Sequence, residues 1–527
     1  MRKVLSAMAL QFAAKVRSQR SQIRWDAICG GLLSFRFVSA GLVTVLMVWL
    51  TTGGIAVTQT ARLSDSGDKN EGSESTSNVI SKPGPSQTTI VSLTSTTAEI
   101  SVLGYGLAPS GMLSFTDVTA NTPVAPSVTL NTASSTTVLA RQVATNTGAN
   151  TLPDWTELAD LNGDGILDLV TSLSATDSFS VRLGNGNGTF QRATVSLIAT
   201  GFDPGEAHAV SLRGNGTMDL IIASSASNQI AALLGNGNGS FQTPTFYTVG
   251  SAVNIPSSIA SGDFNHDGNL DIAVANSVDN TVSIFLGDRM GSLTQSGVPI
   301  NVGRNPESIR AGDFNGDGYS DLAVANFNDG TVTTLLNNQN GTFTATVIPV
   351  GSGAGSGPRG VAITGSGTSL LLAATNFMDN TVSVMQSNGS GAFGTQTIVP
   401  VGRGPQDIRW TDINGDGIPD VVVANYTGNS LSLALGESGS SYTVLGPFAV
   451  GGHPASAAVG DLNGRGAPDI VISNTFKNET EVFLIGAEIS VSYSGLSLTA
   501  GDSVQATYTP DAASKYRAST SPIRTAP

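Results

Sequence analysis

The feature that most constrains this chain is a nonapeptide that returns at intervals of about 50 residues. The clearest copy, residues 313–321, reads DFNGDGYSD and is followed at once by the apolar run LAVA. Intact, damaged or eroded copies begin at six further positions: Asp160, Ser211, Asp263, Ile363, Asp412 and Asp461. Repeats of this length are typical of propeller-type folds, in which each repeat forms one small sheet.

Four of the seven copies keep acids at positions 1, 5 and 9, Asn at position 3 and Gly at position 6. Side chains at positions 1, 3 and 5 of a tight loop converge on one point, position 7 offers its carbonyl, and these are the hard oxygen ligands that calcium prefers. Turn propensity explains why Asp, Asn and Gly occur together, but it does not require this spacing of acids in four copies. Because three carboxylates in one loop would otherwise repel one another, the pattern favours metal binding.

Two damaged copies carry an arginine inside the loop. Arg213 stands at the third position of the copy from Ser211, and Arg465 at the fifth position of the copy from Asp461. A guanidinium then enters where a metal would otherwise face the carboxylates. We predict that Arg465 forms an internal salt bridge with Asp461 and Asp469 in place of an ion.

Each loop lies between strand-like apolar runs, so we place it on a β-hairpin. In the fourth unit the pattern predicts four strands, at residues 307–312, 322–326, 331–336 and 342–350. The seventh unit lacks a fourth strand of its own, and residues 137–145 are similar to the fourth strands of the other units. We therefore expect an all-β fold with a seven-bladed β-propeller over residues 137–487, closed by this strand so that no edge stays open.

Composition limits the partners. The formal charge is −14, and such an acidic surface disfavours nucleic acid and anionic membranes. Only 12% of the residues are charged and 62 are glycine, which is typical of a β-rich extracellular protein. Cys29 is the only cysteine and lies in the N-terminal leader, so the exported part has no disulfide.

Residues 1–60 read as a signal peptide or a membrane anchor. A basic stretch precedes the apolar residues 38–57, which are numerous enough for an N-terminal hydrophobic helix that crosses a bilayer. The positive flank places the rest of the chain outside the cytoplasm, secreted or at the cell surface; cleavage and a single retained anchor both stay open. Residues 61–87 are polar and without a hydrophobic period, and we expect a disordered linker there.

At the nonapeptides the chain resembles the FG-GAP or VCBS repeat family, the calcium-binding propeller that is also found at the head of integrin α subunits. The resemblance covers residues 138–487 and is carried by the four intact copies. It implies four Ca²⁺ sites, each with ligands from positions 1, 3, 5 and 9 and the main-chain carbonyl of position 7. The implied ligands are Asp160, Asn162, Asp164, Ile166 and Asp168; Asp263, Asn265, Asp267, Asn269 and Asp271; Asp313, Asn315, Asp317, Tyr319 and Asp321; and Asp412, Asn414, Asp416, Ile418 and Asp420.

The two flanks resemble the halves of a bacterial Ig-like repeat. GMLSFTDV from Gly111 is similar to its first half, and SVQATYTPDAASKYRASTS from Ser503 is similar to its last strands. We therefore expect one small Ig-like β-sandwich, built from residues 88–136 and 488–527 and interrupted by the propeller.

Two classes of function follow. The first is a non-catalytic adhesion or recognition module, a monomer that binds an extracellular carbohydrate or protein. The alternative is a propeller-type polysaccharide lyase or glycoside-degrading enzyme. The three histidines, His208, His266 and His453, form no obvious catalytic cluster, and no nucleophile elbow or zinc motif is present, so we expect no enzyme. Trp155 and Trp410 precede calcium loops and either stack on sugars or pack between blades.

Overall fold

The computed structural model describes residues 22–28, 32–39, 42–51, 54–64, 86–93, 97–104, 111–118, 122–130, 136–141, 144–438, 440–494, 496, 498, 503–510, 519–521 and 523–525. Strands account for nearly all regular structure in these ranges, and the helical turns among them are three 3₁₀ turns, Ser174–Thr176, Gly367–Ser369 and Thr475–Lys477. The all-β fold class is thereby confirmed. The chain divides into two compact units, Met1–Ile80 and Ser81–Pro527.

The first unit contains one antiparallel four-stranded meander. Its strands are Gln22–Ile28, Leu32–Ser39, Leu42–Thr51 and Gly54–Ser64. The hydrophobic helix expected over residues 38–57 is therefore wrong. The run is rich in Val and Thr, whose branched side chains favour strands, and an apolar run by itself does not distinguish a buried helix from strands.

Within the ranges that the structure describes, no helix is long and apolar enough to span a bilayer. Residues 1–21, which carry most of the basic leader, lie outside those ranges, so a cleaved signal and an anchor both stay predictions. The disordered linker expected at residues 61–87 falls mostly on residues 65–85, which also lie outside the described ranges, whereas residues 61–64 belong to the strand Gly54–Ser64.

The second unit contains repeated antiparallel four-stranded sheets, which we number 1 to 6 along the chain. Sheets 1 to 3 consist of Pro153–Ala159, Asp168–Leu173, Ser178–Arg182 and Thr194–Leu197; Pro204–Val210, Asp219–Ser224, Gln229–Leu233 and Thr245–Thr248; and Pro256–Gly262, Asp271–Asn276, Thr281–Gly287 and Leu293–Asn301. Sheets 4 to 6 consist of Pro306–Gly312, Asp321–Asn326, Thr331–Asn337 and Phe343–Pro349; Pro358–Thr364, Leu371–Asn376, Thr381–Gln386 and Thr397–Pro400; and Pro405–Thr411, Asp420–Asn425, Ser430–Glu437 and Ser441–Ala449. The four strands of sheet 4 lie within one residue of the bounds expected from the sequence.

Sheet 7 differs from the others in the origin of its last strand. It begins with Pro454–Gly460 and Asp469–Asn474, followed by the long strand Glu479–Ser494. The next position is filled by Thr136–Arg141 and Thr145–Asn146, from the N-terminal side of sheet 1, which pair antiparallel with Glu479–Ser494. The start and the end of the repeat region therefore lie together in sheet 7.

The first strands of the seven sheets contact one another in cyclic order, and the first strand of sheet 7 contacts that of sheet 1. A separate apolar cluster fills each of the seven interfaces between neighbouring sheets. At the closing interface the Thr156 N–H donates to Ser456 Oγ (3.3 Å) and the Gly188 N–H donates to the Leu462 carbonyl (3.0 Å). Because the second strands lie between two such clusters, they read as continuous apolar runs in the sequence.

The two flanks fold around one shared core. Ser86–Leu93 and Thr97–Gly104 extend the second half of Glu479–Ser494, while Ser503–Pro510 pairs with Gly111–Asp117. Thr122–Thr129, Ser519–Thr520 and Arg524–Thr525 complete the second sheet. The apolar cluster between these sheets draws on both flanks: Ile90, Ala98, Ile100, Val102, Leu113, Phe115, Leu130, Leu496, Leu498, Val504, Ala506 and Tyr508. Whether this two-sheet unit is Ig-like stays a prediction.

Candidate metal loops and central cavity

The four intact nonapeptides join the first strand to the second strand of sheets 1, 3, 4 and 6. In each of them the acid at position 9 starts the second strand and is fully buried. In sheet 4, Asp321 Oδ2 accepts the N–H of Phe314 (2.8 Å) and Oδ1 accepts the N–H of Asn337 (2.7 Å). The corresponding acids make the same pair of bonds: Asp168, Asp271 and Asp420. Position 9 therefore ties the loop to the end of the third strand.

Positions 1, 3 and 5 fold the loop around their own oxygens. Asp313 accepts the N–H groups of Gly316 (2.7 Å) and Gly318 (3.0 Å), and Asn315 Oδ1 accepts the N–H of Asp317 (3.1 Å). Asn315 Nδ2 also donates to Asp317 Oδ2 (2.9 Å). Gly318 at position 6 has φ of +86°, in the left-handed region that favours glycine. The other three loops repeat the contact between positions 3 and 5, at 2.9–3.0 Å.

The electrostatics of the loops fit a cation. Burial is the main cause that raises the pKa of Asp321 and of Asp420 to about 6, and the carboxylates at positions 5 and 1 contribute to this rise. Burial and the same two neighbours also raise the pKa of Asp168 and Asp271. The acid at position 9 therefore lies close enough to the acids at positions 1 and 5 for their charges to oppose its ionisation.

The donor set is made of carboxylate, amide and main-chain oxygens, which suits Ca²⁺. Within the part of the chain that the structure describes, no three His, Cys, Asp or Glu side chains are gathered tightly enough to hold a metal by themselves. Asn at position 3 and the carbonyl at position 7 are therefore needed to complete a ligand shell. The structure brings positions 1, 3 and 5 of each loop into mutual contact and holds position 9 beneath them.

The copy in sheet 2 carries a guanidinium where an intact loop would hold a metal ion. Arg213 Nη2 lies 2.5 Å from Asp219 Oδ1 and also donates to the Gly235 carbonyl (2.7 Å). Asp219 is fully buried and corresponds to position 9. The positive charge of Arg213 thus faces the carboxylate that a metal would face in an intact loop.

The salt bridge expected for Arg465 in sheet 7 is wrong. Asn463 Nδ2 donates to Asp469 Oδ2 (2.8 Å), while Arg465 Nε is buried with no hydrogen-bond partner. The comparison with Arg213 gives the reason, because a side chain at position 3 reaches the acid at position 9, whereas Arg465 stands at position 5. Asp469 stays buried, and burial raises its pKa to about 7.

A second candidate site lies at the opposite ends of the first strands, and the sequence analysis missed it. Every first strand begins with a proline: Pro153, Pro204, Pro256, Pro306, Pro358, Pro405 and Pro454. The residues that follow these prolines line a cavity of about 250 Å³: Asp154, Gly205, Ser257, Glu307, Arg359, Gln406 and Ala455. The repeated Pro was visible in the sequence, but only the cyclic arrangement of the sheets brings the seven following residues together.

A layer of charged side chains and one indole lies at and below this cavity. Arg310 pairs with Glu206 (3.1 Å) and Arg409 pairs with Asp407 (2.6 Å). Both guanidiniums lie over the ring of Trp155, at 5.8 Å and 4.9 Å from its centroid. Trp155 therefore lines the cavity and also packs between sheets 1 and 2.

Two further residues that the sequence singled out, His208 and Trp410, lie on the first strands of sheets 2 and 6. His208 Nδ1 lies 3.6 Å from Glu157 Oε1, and its Nε2 lies 3.0 Å from Ser261 Oγ. Trp410 lies with the apolar cluster between sheets 5 and 6, as the packing alternative expected.

Polar groups at the cavity wall are left without partners. Arg359 is held between the rings of Phe327 and Phe377, at 5.1 Å and 4.3 Å, and its Nη1 donates to Gln406 Oε1 (3.0 Å). Arg359 Nε and Trp155 Nε1 are buried and have no hydrogen-bond partner. Burial, with a contribution from the nearby Asp203 carboxylate, raises the pKa of Asp154 to about 6. The cavity wall therefore contains a carboxyl group with a raised pKa and two side chains whose buried N–H is unpaired.

Repeated four-stranded sheets in cyclic contact define a β-propeller fold. FG-GAP-like repeats match residues 160–222, 212–274, 263–324, 313–365, 363–423 and 412–472. Because these matches cover more than half of the sequence, the chain belongs to the FG-GAP-like repeat family, as the nonapeptides indicated.

No curated protein matches the chain in sequence. Among solved structures, a putative 6-phosphogluconolactonase from Bacteroides uniformis is 13% identical, with a TM-score of 0.48 over 66% of this chain and 98% of that one. A periplasmic gluconolactonase from Pseudomonas aeruginosa is 16% identical, with a TM-score of 0.46 over 61% and 88%. An Agrocybe aegerita lectin that recognises non-reducing terminal N-acetylglucosamine is 16% identical, with a TM-score of 0.41 over 74% and 99%. Likenesses this distant carry no information on what this chain binds.

Proposed function

We propose that the chain is a seven-bladed, calcium-stabilised propeller that acts outside the cytoplasm as a non-catalytic recognition module for a carbohydrate or a protein. One observation carries the proposal: the same loop of carboxylate and amide oxygens, with the same hydrogen bonds, recurs in sheets 1, 3, 4 and 6. Seven interfaces with seven apolar clusters support the blade number.

In this proposal calcium has a structural role. Bound Ca²⁺ would supply positive charge to three carboxylates that otherwise oppose one another. For sites of extracellular strength, with Kd near ~10⁻⁴ M at millimolar calcium, each ion contributes roughly 1.5 kcal/mol. Four ions together contribute on the order of 6 kcal/mol, which is comparable with the net stability of a domain.

Export by the N-terminal segment, as a signal or a signal-anchor, and a monomeric state belong to the same proposal. The acidic composition and the calcium requirement both suit an extracellular or cell-surface site.

A glycan-degrading enzyme is the second candidate, and one observation favours it. Asp154 lies in a cavity with its pKa raised to about 6 by burial, which is in the range of a general acid. Against it, the acids of the nonapeptides are occupied in loop structure. A screen of polysaccharides for released reducing ends decides between the two, because a recognition module releases none.

The calcium part is tested by equilibrium dialysis of the purified full chain, for which we expect four bound ions. Asp317→Ala should lower the number by one, whereas Asn215→Ala, in the loop that already contains Arg213, should leave it unchanged. A wild-type protein without bound calcium contradicts the proposal. The recognition part is tested on glycan and extracellular-protein arrays with and without chelator, and the absence of any ligand on both arrays contradicts it.

A further inference from the structure

We propose that the cavity at the start of the seven first strands binds one sugar residue, neutral or carrying an amino group. This inference rests on the proposed recognition function, for which it names a ligand class and a place. The cavity lies at the ends of the first strands that are opposite to the nonapeptide loops, so the two sites are separate.

The ring of seven residues that follow the prolines is asymmetric. The proline that opens each first strand is the same in all seven sheets, whereas the residue after it is different in every one: Asp154, Gly205, Ser257, Glu307, Arg359, Gln406 and Ala455. Seven identical side chains would form a symmetric ring that cannot fix the orientation of an asymmetric molecule. Seven different ones form a single site with donors and acceptors in fixed directions.

Some polar groups of the residues that line the cavity have no hydrogen-bond partner. Arg359 Nε and Trp155 Nε1 are buried donors without partners. A buried donor left unpaired is unfavourable, so a small movement of either side chain that brings its N–H to a ligand oxygen would be stabilising. Asp154 contributes a carboxyl group that accepts when ionised and also donates when protonated. Hydroxyl groups both donate and accept, so a polyhydroxy ring satisfies all three.

The position of the donors is largely fixed before a ligand arrives. Arg359 is stacked on Phe327 and Phe377, and Gln406 holds one end of its guanidinium. Trp155 lies against the guanidiniums of Arg310 and Arg409. Because these side chains are already held in place, little conformational entropy is lost when a ligand binds.

Size and charge narrow the ligand class. A volume of about 250 Å³ lies just below the usual range for ligand cavities, which indicates room for one sugar ring inside the cavity. Glu206 and Asp407 are paired with Arg310 and Arg409, which leaves Asp154, Glu307 and Arg359 as the charged side chains of the wall outside these pairs. The wall is therefore net acidic, which disfavours sugar phosphates and uronic acids and suits a neutral or amino sugar.

The experiment uses the full chain with calcium bound. Glucose, galactose, glucosamine, glucuronic acid and glucose 6-phosphate are titrated by calorimetry and by saturation-transfer NMR. We expect binding of at least one neutral or amino sugar, and at least tenfold weaker binding for Asp154→Asn and for Trp155→Phe. The second variant removes the five-membered ring of the indole together with its N–H and keeps a six-membered aromatic ring near the arginines. Glu437→Gln, in the third strand of sheet 6, is the control and should bind as the wild type does.

Each variant is first shown to retain its calcium stoichiometry and to be fully folded at the temperature of the assay, so weaker binding is not a folding effect. The same variants on a glycan array separate the two sources of the sugar, since a terminal residue of a glycan gives a cavity-dependent array signal and a free monosaccharide does not. Sugar binding that survives both cavity variants overturns the inference and leaves recognition standing, as does binding of proteins alone. Preference for the uronic acid or the phosphate also overturns it. If no ligand binds in any assay, both the inference and the proposed function are contradicted.

Discussion

At the scale of single residues, position 5 and position 9 of a calcium loop have different roles. Asp317 is exposed, and its bonds to the loop can be replaced by water. Asp321 is fully buried and accepts the N–H groups of Phe314 and Asn337. In the proposed calcium site the carboxylate at position 5 would serve mainly as a ligand, whereas the acid at position 9 also completes the hydrogen bonding of the sheet.

This difference predicts that two alanine variants differ in their free energy of unfolding in chelator. Asp321→Ala leaves two buried N–H groups without acceptors and should lower the free energy of unfolding by on the order of 2 kcal/mol. Asp317→Ala should change it by less than about 0.5 kcal/mol and should lose one bound calcium when the metal is returned. Urea unfolding in chelator, followed by calcium dialysis, measures both. Equal destabilisation by the two variants without calcium would show that the assignment of roles is wrong.

Asp154 predicts a pH dependence that can be assigned to one carboxyl group. Its pKa is 3.8 ordinarily and about 6 in the folded chain, because burial disfavours the ionised form. The folded state therefore binds this proton more tightly than the unfolded state does, so its contribution is fully present below pH 3.8 and is lost as the pH rises through 6. Since Asp154 keeps part of its surface exposed, the loss is on the order of 1 to 2 kcal/mol.

The measurement compares the wild type with Asp154→Asn from pH 4 to pH 7 in chelator. The difference in unfolding free energy between the two proteins should shift against the wild type as the pH rises, with its midpoint between pH 4 and pH 6. The buried acids of the loops titrate in both proteins and cancel in the difference. A difference that is flat across this range would contradict a raised pKa at Asp154.

At the scale of elements, the loop of sheet 2 can be used to test the loop chemistry itself. Arg213→Ala removes the cation that faces the buried Asp219 and should destabilise the protein by about 3 kcal/mol. The triple variant Ser211→Asp, Arg213→Asn, Asn215→Asp restores the intact pattern and should bind one calcium more than the wild type. Its Tm should rise with calcium concentration above the wild-type response.

Equilibrium dialysis and calorimetric scans at several calcium concentrations measure this response. The control is the corresponding change in sheet 5, where Leu371 occupies position 9. Restoring only positions 1, 3 and 5 of that loop leaves no acid below them and should not create a site of the same affinity. An unchanged stoichiometry in the sheet 2 triple variant would mean that the nonapeptide does not suffice for calcium binding.

Elements differ in how much of them the sequence predicts, and the reason is the range of the interactions involved. The strands of sheet 4 and the loop at Asp313 are local, because turn residues and an apolar run of fixed length determine them. The cavity is not local, since Asp154 and Arg359 are 205 residues apart and meet only through the cyclic arrangement of sheets. The salt bridge predicted for Arg465 is wrong because its side chain, at position 5, does not pair with the acid at position 9, whereas Arg213, at position 3, does. The apolar residues 38–57 were misjudged because hydrophobicity alone does not separate a helix from strands.

At the scale of the whole molecule, one strand joins two cores. Glu479–Ser494 pairs with Thr136–Arg141 through its first half and with Thr97–Gly104 through its second half. The flank core takes side chains from both ends of the second unit, Tyr508 among them. Residues far apart in the sequence therefore stabilise each other only when both flanks are present.

Removal of residues 488–527 should consequently unfold the N-terminal flank and leave the propeller sheets folded. Ile90, Ile100 and Phe115 would lose the apolar partners that the C-terminal flank supplies, and Thr97–Gly104 would lose the strand it pairs with. Hydrogen exchange should show amide protection lost over residues 86–130 and retained in the second strands of sheets 1 to 6, with four calcium ions still bound. Tyr508→Ala, which truncates a fully buried side chain at a cost of about 3 to 5 kcal/mol, should give the same pattern in the full-length chain. Protection that persists over residues 86–130 in both variants would mean that the N-terminal flank folds without its C-terminal partner.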